Sequence, residues 1–94
     1  MYATYNYIIS NWELAVKGFK AATVINPGEA DYWRSLGDSY IQTKDFVNSA
    51  TAYEKVTELA PNDKDVWEQL VSLYAELKKP EDKARAQKQL DALK

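Results

Sequence analysis

The chain has 94 residues, 46% hydrophobic and 28% charged, with three Gly and three Pro; that suits one small packed domain or a piece of a larger one and excludes a disordered tail or a collagen-like fibre. No apolar run approaches the roughly 18 residues of a membrane helix, the stretch Met1 to Ile9 lacks the basic start of a signal peptide, and a net charge of −2 lacks the electrostatic footprint of a nucleic-acid binder. Cys and His are both absent, which removes disulfides, thiolate zinc sites, a cysteine nucleophile and the usual general base, and leaves redox compartment and localisation open.

The first predicted helix spans 2–9. Ser10-Asn11-Trp12-Glu13 then has the spacing of a capping box, with Glu three residues after Ser, and opens a second helix over 12–25. Pro27 cannot continue that helix. A third helix is predicted over 30–43, because Trp33, Leu36, Gly37 and Tyr40 recur at i, i+3, i+4 and i+7, the stripe of an amphipathic helix. The short polar stretch Gln42-Thr43-Lys44-Asp45 breaks it and places Asp45 to cap a fourth helix over 46–59. Phe46, Ser49, Ala50, Tyr53 and Val56 are the stripe of that helix. Pro61-Asn62-Asp63 ends it, and Asn62 or Asp63 can cap a fifth helix over 64–78. A sixth helix, over 81–93, follows Pro80.

These elements repeat with a period of 34. Pro27 recurs as Pro61, Trp33 as Trp67, Leu36 as Leu70 and Tyr40 as Tyr74. Softer matches join Phe19 to Tyr53, Ala22 to Val56, Ile25 to Leu59 and Leu93, and Trp12 to Phe46. Each unit reads as two antiparallel helices. Small residues at Ala15, Gly37, Ser49 and Ala50 let paired helices approach, and the aromatic residues around them read as core packing rather than as a cofactor or base-stacking site. The expected fold is an all-α solenoid, an α-α superhelix of antiparallel helix hairpins.

The pattern Trp33-x2-Leu36-Gly37-x2-Tyr40, then Ser49-x3-Tyr53, then Pro61 resembles the tetratricopeptide repeat, whose consensus is W-x2-L-G-x2-Y, A-x3-F and P in 34 residues. The first unit adds Ala15-x3-Phe19 and Pro27. The third adds Trp67-x2-Leu70-Val71-x2-Tyr74. The resemblance covers the chain as about 2.8 units of a single domain over 1–94, with a truncated first repeat at 1–27, a second at 28–61 and a third at 62–94. The first helix lacks the early Trp and has Asn6 where Tyr40 and Tyr74 stand. The last helix has Lys83 and Gln87 in the slots of Ser49 and Tyr53. Residues 78–94 hold six Lys or Arg against three Asp or Glu, the polar character expected of a terminal cap. The amino end, with Tyr2, Tyr5, Tyr7, Ile8 and Ile9, reads as cut from a longer array or built to meet a partner. Tyr2, Tyr5 and Ile9 are therefore candidate self-association residues, and a homo-oligomer is the alternative functional reading.

No catalytic, metal-ligating or cofactor-binding residue emerges. Gly18, Gly28 and Gly37 fit neither a phosphate loop nor a dinucleotide turn. Asp63, Asp65, Glu81 and Asp82 stand near helix starts, where carboxylates favour the helix dipole and cap free N–H groups. In the basic last helix the cations do not share one face, and Glu81, Asp82 and Asp91 dilute their field.

The resemblance implies a non-enzymatic protein-interaction module whose first helices line a groove for an extended or helical peptide. The outward faces of the two complete first helices carry Asp31, Arg34, Ser35, Asp38, Ile41 and Gln42, then Asp65, Glu68, Gln69, Ser72, Ala75 and Glu76. These twelve residues hold five acids and one base, a net of −4 in a chain of −2. The candidate peptide-binding residues are Tyr7, Asp31, Arg34, Asp38, Ile41, Asp65, Glu68, Gln69 and Ser72. Family members that hold a peptide's terminal carboxylate do so with Lys, Arg and Asn in the groove. Here the slots carry Asp38, Asp65 and Gln69, so the expected partner is a protein or peptide, basic or neutral with apolar anchors, and neither nucleic acid nor a membrane.

Overall fold

The computed structural model describes residues 12–93. Over that span the chain forms five α-helices and no strand: α1 (Trp12–Ile25), α2 (Ala30–Gln42), α3 (Phe46–Leu59), α4 (Lys64–Glu76) and α5 (Pro80–Ala92). The predicted helix over 2–9, with Tyr2, Tyr5, Tyr7 and Ile9, lies outside the described residues, as does Ser10 of the expected capping box. Each helix packs on the next in chain order, so the described fold is an all-α helical repeat.

Two helices, α3 and α4, start where a side chain satisfies a free N–H group of the first turn. Asp45 accepts from the Asn48 N–H at 3.3 Å at the head of α3. Asp63, rather than Asn62, accepts from the Val66 N–H at 3.4 Å at the head of α4. At α5 the equivalent residue is Lys79, which makes no side-chain cap, and Pro80 takes the first helical position, where its missing N–H costs nothing.

The stops differ from expectation in one respect. Helices expected to reach 43 and 78 end at Gln42 and Glu76. Lys44 and Lys78, one period apart, have φ of 64° and 58°. This left-handed step turns the chain and closes the same two bonds in each unit. Asp45 N–H donates to the Tyr40 carbonyl at 2.9 Å and Lys44 N–H to that of Ile41 at 3.0 Å. Lys79 N–H donates to Tyr74 at 2.9 Å and Lys78 N–H to Ala75 at 3.2 Å. Each pair is a Schellman cap, which satisfies carbonyls that a helix end would otherwise leave free.

The joints between units repeat as well. The Trp33 indole N–H donates to the Pro27 carbonyl, and that of Trp67 to the Pro61 carbonyl, each at 2.8 Å. The indole spans the turn and ties the last residues of one unit to the first helix of the next. A recurrent Pro and a recurrent Trp are thus two ends of one hydrogen bond.

The core joins α3, α4 and α5 through Ala50, Tyr53, Val56, Val66, Leu70, Leu73, Tyr74 and Ala86, with Trp33, Ile41, Phe46, Trp67 and Val71 packed around it. Buried Gly37 faces the Tyr53 ring. The Ser49 hydroxyl, in the slot where the repeat pattern has Ala, is fully buried and donates to the Gly37 carbonyl at 2.8 Å. That bond meets the desolvation cost of a polar group in the core. On α5, Ala86 and Leu90 are buried one period after Ala52 and Val56, while Lys83 is exposed and Gln87 half-buried. None of the described helices is long and apolar enough to cross a membrane.

Candidate functional site

Between α2 and α4 lies an open cavity of about 360 Å³, lined by Arg34 and Asp38 from α2, Tyr53 from α3, and Asp65, Val66, Glu68 and Gln69 from α4. The helical period explains the grouping. Arg34 and Asp38 stand four residues apart on α2, as do Asp65 and Gln69 on α4, with Glu68 beside them, so each set shares one face. Most of the core stripe of each helix points away from it, Val66 being the core residue of α4 that reaches the lining.

Five of the nine residues expected to bind a peptide come together here: Arg34, Asp38, Asp65, Glu68 and Gln69. Asp31 and Ser72 are exposed but do not line the cavity. Ile41 is half-buried and packs on the core cluster, so its side chain is partly withdrawn from the surface. Tyr7 lies outside the described residues. Tyr53 was expected only in the core, yet it forms part of the wall, as does Val66, which the repeat pattern did not single out. For Tyr53 a signal was present: the repeat pattern carries Phe at this slot, and a phenol at a buried position needs a partner.

That partner is Asp38. The Tyr53 hydroxyl donates to its carboxylate across the hairpin. Burial raises the Tyr53 phenol well above its ordinary value, and the hydrogen bond to Asp38 and that residue's charge push it further, against a smaller opposing pull from Arg34. The same device joins the units. The Tyr74 hydroxyl donates to Glu54, and its phenol is raised by burial first, then by the bond to Glu54 and the charges of Glu54 and Asp82, with Arg85 opposing.

Arg34 is also engaged. Its guanidinium forms an ion pair with Asp63, the residue that caps α4. Sequence spacing carries no sign of this pair, because it depends on how two successive units are set against each other. Among the described residues, Asp65 and Glu68 have neither an ion-pair nor a hydrogen-bond partner. The cavity therefore presents two uncommitted carboxylates, one committed to a phenol, and a cation already neutralised. Among the described residues no three acidic groups are placed to hold a metal ion.

The family model of the tetratricopeptide repeat matches residues 30–63. This span runs from the first residue of α2 to the cap of α4. No curated protein matches the chain. Repeats of this type mediate protein–protein interaction, and the family is typically a non-enzymatic scaffold. With the Trp–Pro joint and the left-handed turn of that span each recurring one period later, the five-helix fold agrees with a repeat of the tetratricopeptide type.

Proposed function

We propose that this chain is a non-enzymatic interaction module that receives a peptide or helical segment of a partner protein on the face shared by α2 and α4. The observation that carries the reading is the cavity between those helices, in which Asp65 and Glu68 have no partner among the described residues. The partner segment is basic or neutral. Its Lys or Arg side chains meet Asp65 and Glu68, with Gln69 and Asp38 beside them, and an apolar side chain anchors toward Ile41. Asp31 and Ser72 extend the face at its margins, and Tyr7, outside the described residues, is kept as a candidate contact. Exposed charge pairs contribute about 0–1 kcal/mol each, and a flexible segment loses freedom on binding. Affinity is therefore on the order of micromolar and falls with added salt.

The test is to titrate basic and acidic peptide pools into isotope-labelled protein and map the shifted residues. Basic peptides should move resonances of α2 and α4. Tighter binding of acidic peptides, or shifts confined to α3 and α5 around Lys55 and Lys88, would overturn the reading.

A second reading, self-association through the amino-terminal region, is favoured by the exposure of Leu14, Val24 and Ile25 on α1, which are 61%, 77% and 76% accessible. Exposed apolar groups of this kind mark interfaces. Tyr2, Tyr5 and Ile9, the residues this reading singles out, lie outside the described residues. Molar mass that rises with concentration supports this reading, and a strict monomer at millimolar protein removes it.

A further inference from the structure

Among the described residues lining the cavity, Arg34 is the cation and so the group that would draw a carboxylate most strongly. A guanidinium offers planar N–H donors that match a carboxylate in pairs, and free in the cavity it would give this face a mixed charge preference. Asp63 prevents that. Its carboxylate accepts from the Val66 N–H at the first turn of α4, so its position is set by the helix start, and the Arg34 guanidinium comes across to it. The Asp63 side chain is only 16% accessible and that of Arg34 40%, so the pair is less screened than one in open water. The Arg34 Nε is buried without a hydrogen-bond partner. This cost accompanies the pose in which the guanidinium reaches Asp63.

We propose that Asp63 sets the charge selectivity of this face: by occupying the Arg34 guanidinium it leaves the cavity to lysine or arginine side chains and denies it to carboxylates. The inference rests on the reading of the α2–α4 face as a peptide-binding surface. The ligand group is an organic cation, because the acidic groups here are not placed to hold a metal ion, and Val66 and Tyr53 in the wall give a methylene stem an apolar side to lie along. Asp63 acts through Arg34 and is a positioning residue.

The experiment uses two short alanine-based peptides, blocked at both ends, one carrying lysines and one carrying glutamates. Each is titrated into the unaltered protein, Asp63→Asn, Asp65→Asn, and the double variant Arg34→Gln with Asp63→Asn. Asn caps a helix about as well as Asp, so Asp63→Asn keeps the start of α4 while freeing Arg34. Asp63→Ser, another good cap, replaces it if circular dichroism shows lost helix. The expected result is that Asp63→Asn weakens the lysine peptide and strengthens the glutamate peptide, each by roughly twofold to fivefold. Asp65→Asn should weaken the lysine peptide with no gain for the glutamate peptide, and the double variant should lose the gain. Structural damage alone would weaken both peptides together. If Asp63→Asn and Asp65→Asn act alike on both peptides, net charge rather than the ion pair governs, and this inference fails while the binding surface stands. If neither peptide binds the unaltered protein, the binding surface fails and this inference with it.

Discussion

A side chain at Gly37 has no room. A Cβ there would lie 2.9 Å from the Tyr53 Cε1 atom, and the Tyr53 ring, 1% accessible, cannot swing away. Glycine inside a helix ordinarily costs about 1 kcal/mol relative to alanine, so its presence here is a packing demand rather than a backbone one. Gly37→Leu should lower stability by about 1–3 kcal/mol, read as an earlier urea midpoint; an unchanged midpoint would place Gly37 on the wrong face. One period later the slot holds Val71, and the slot of Tyr53 holds Gln87. With no aromatic ring at that slot, a branched side chain fits. The two buried phenols carry a separate prediction. Tyr53 and Tyr74 are raised above their ordinary value of 10.0 by burial and by their bonds to Asp38 and Glu54. A raised folded-state value means the stabilisation is complete below the unfolded value and is lost as pH climbs through the folded one. The thermal midpoint should therefore be unaffected by these groups up to about pH 10 and fall above it, with each phenol contributing at most about 1.4 kcal/mol per pH unit. Tyr53→Phe should fall less steeply over the same range in a pH series of melting curves.

At the scale of the helix, the turns hold the most informative departure. Lys44 and Lys78 take a left-handed backbone conformation that costs an ordinary residue about 1–2 kcal/mol. Glycine escapes that cost but gives the unfolded chain more freedom, worth about 0.4–1 kcal/mol in the opposite direction. Lys44→Gly and Lys78→Gly should each raise stability by up to about 1 kcal/mol, visible as a higher thermal midpoint; a drop would mean the lysine side chains support the turn in some other way. The expected stops at 43 and 78 lie past the observed ones because neither turn contains the glycine that ordinarily marks a left-handed stop. The starts were more legible. Asp45 and Asp63 are short acceptors standing just before an apolar stripe, and both cap. The expectation that the last helix follows Pro80 was off by one residue, since proline is tolerated as the first residue of a helix.

Across the whole molecule, burial is uneven. Among the described residues α3 contributes five buried positions and α4 four, whereas α5 contributes two and α1 only Thr23. In a repeat protein each unit is held mainly by its neighbours, so interior elements open last. Amide exchange should accordingly be slowest in α3 and α4 and faster in α1 and α5; equal protection along the chain would show a single cooperative unit instead. The same neighbour dependence governs the candidate site. Its wall draws on α2, α3 and α4 at once, so it exists only when two successive units are stacked.

The period of 34, the helix stripes and the Pro–Trp recurrence were legible in the sequence because they are local: each depends on residues within a turn or two, or on the same local pattern written again. The grouping of Arg34 with Asp38, and of Asp65 with Glu68 and Gln69, was legible for the same reason, since helical spacing places them on shared faces. What the tertiary structure alone decided is which of those groups are still free. Tyr53 reaches Asp38 across 15 residues and Tyr74 reaches Glu54 across 20, and Arg34 pairs with the cap of the next unit's helix. Ile41, placed outward by its stripe, leans onto the core. These outcomes depend on the separation and rotation of packed helices, where a shift of an ångström makes or breaks a hydrogen bond, and residue spacing along one helix contains no measure of that.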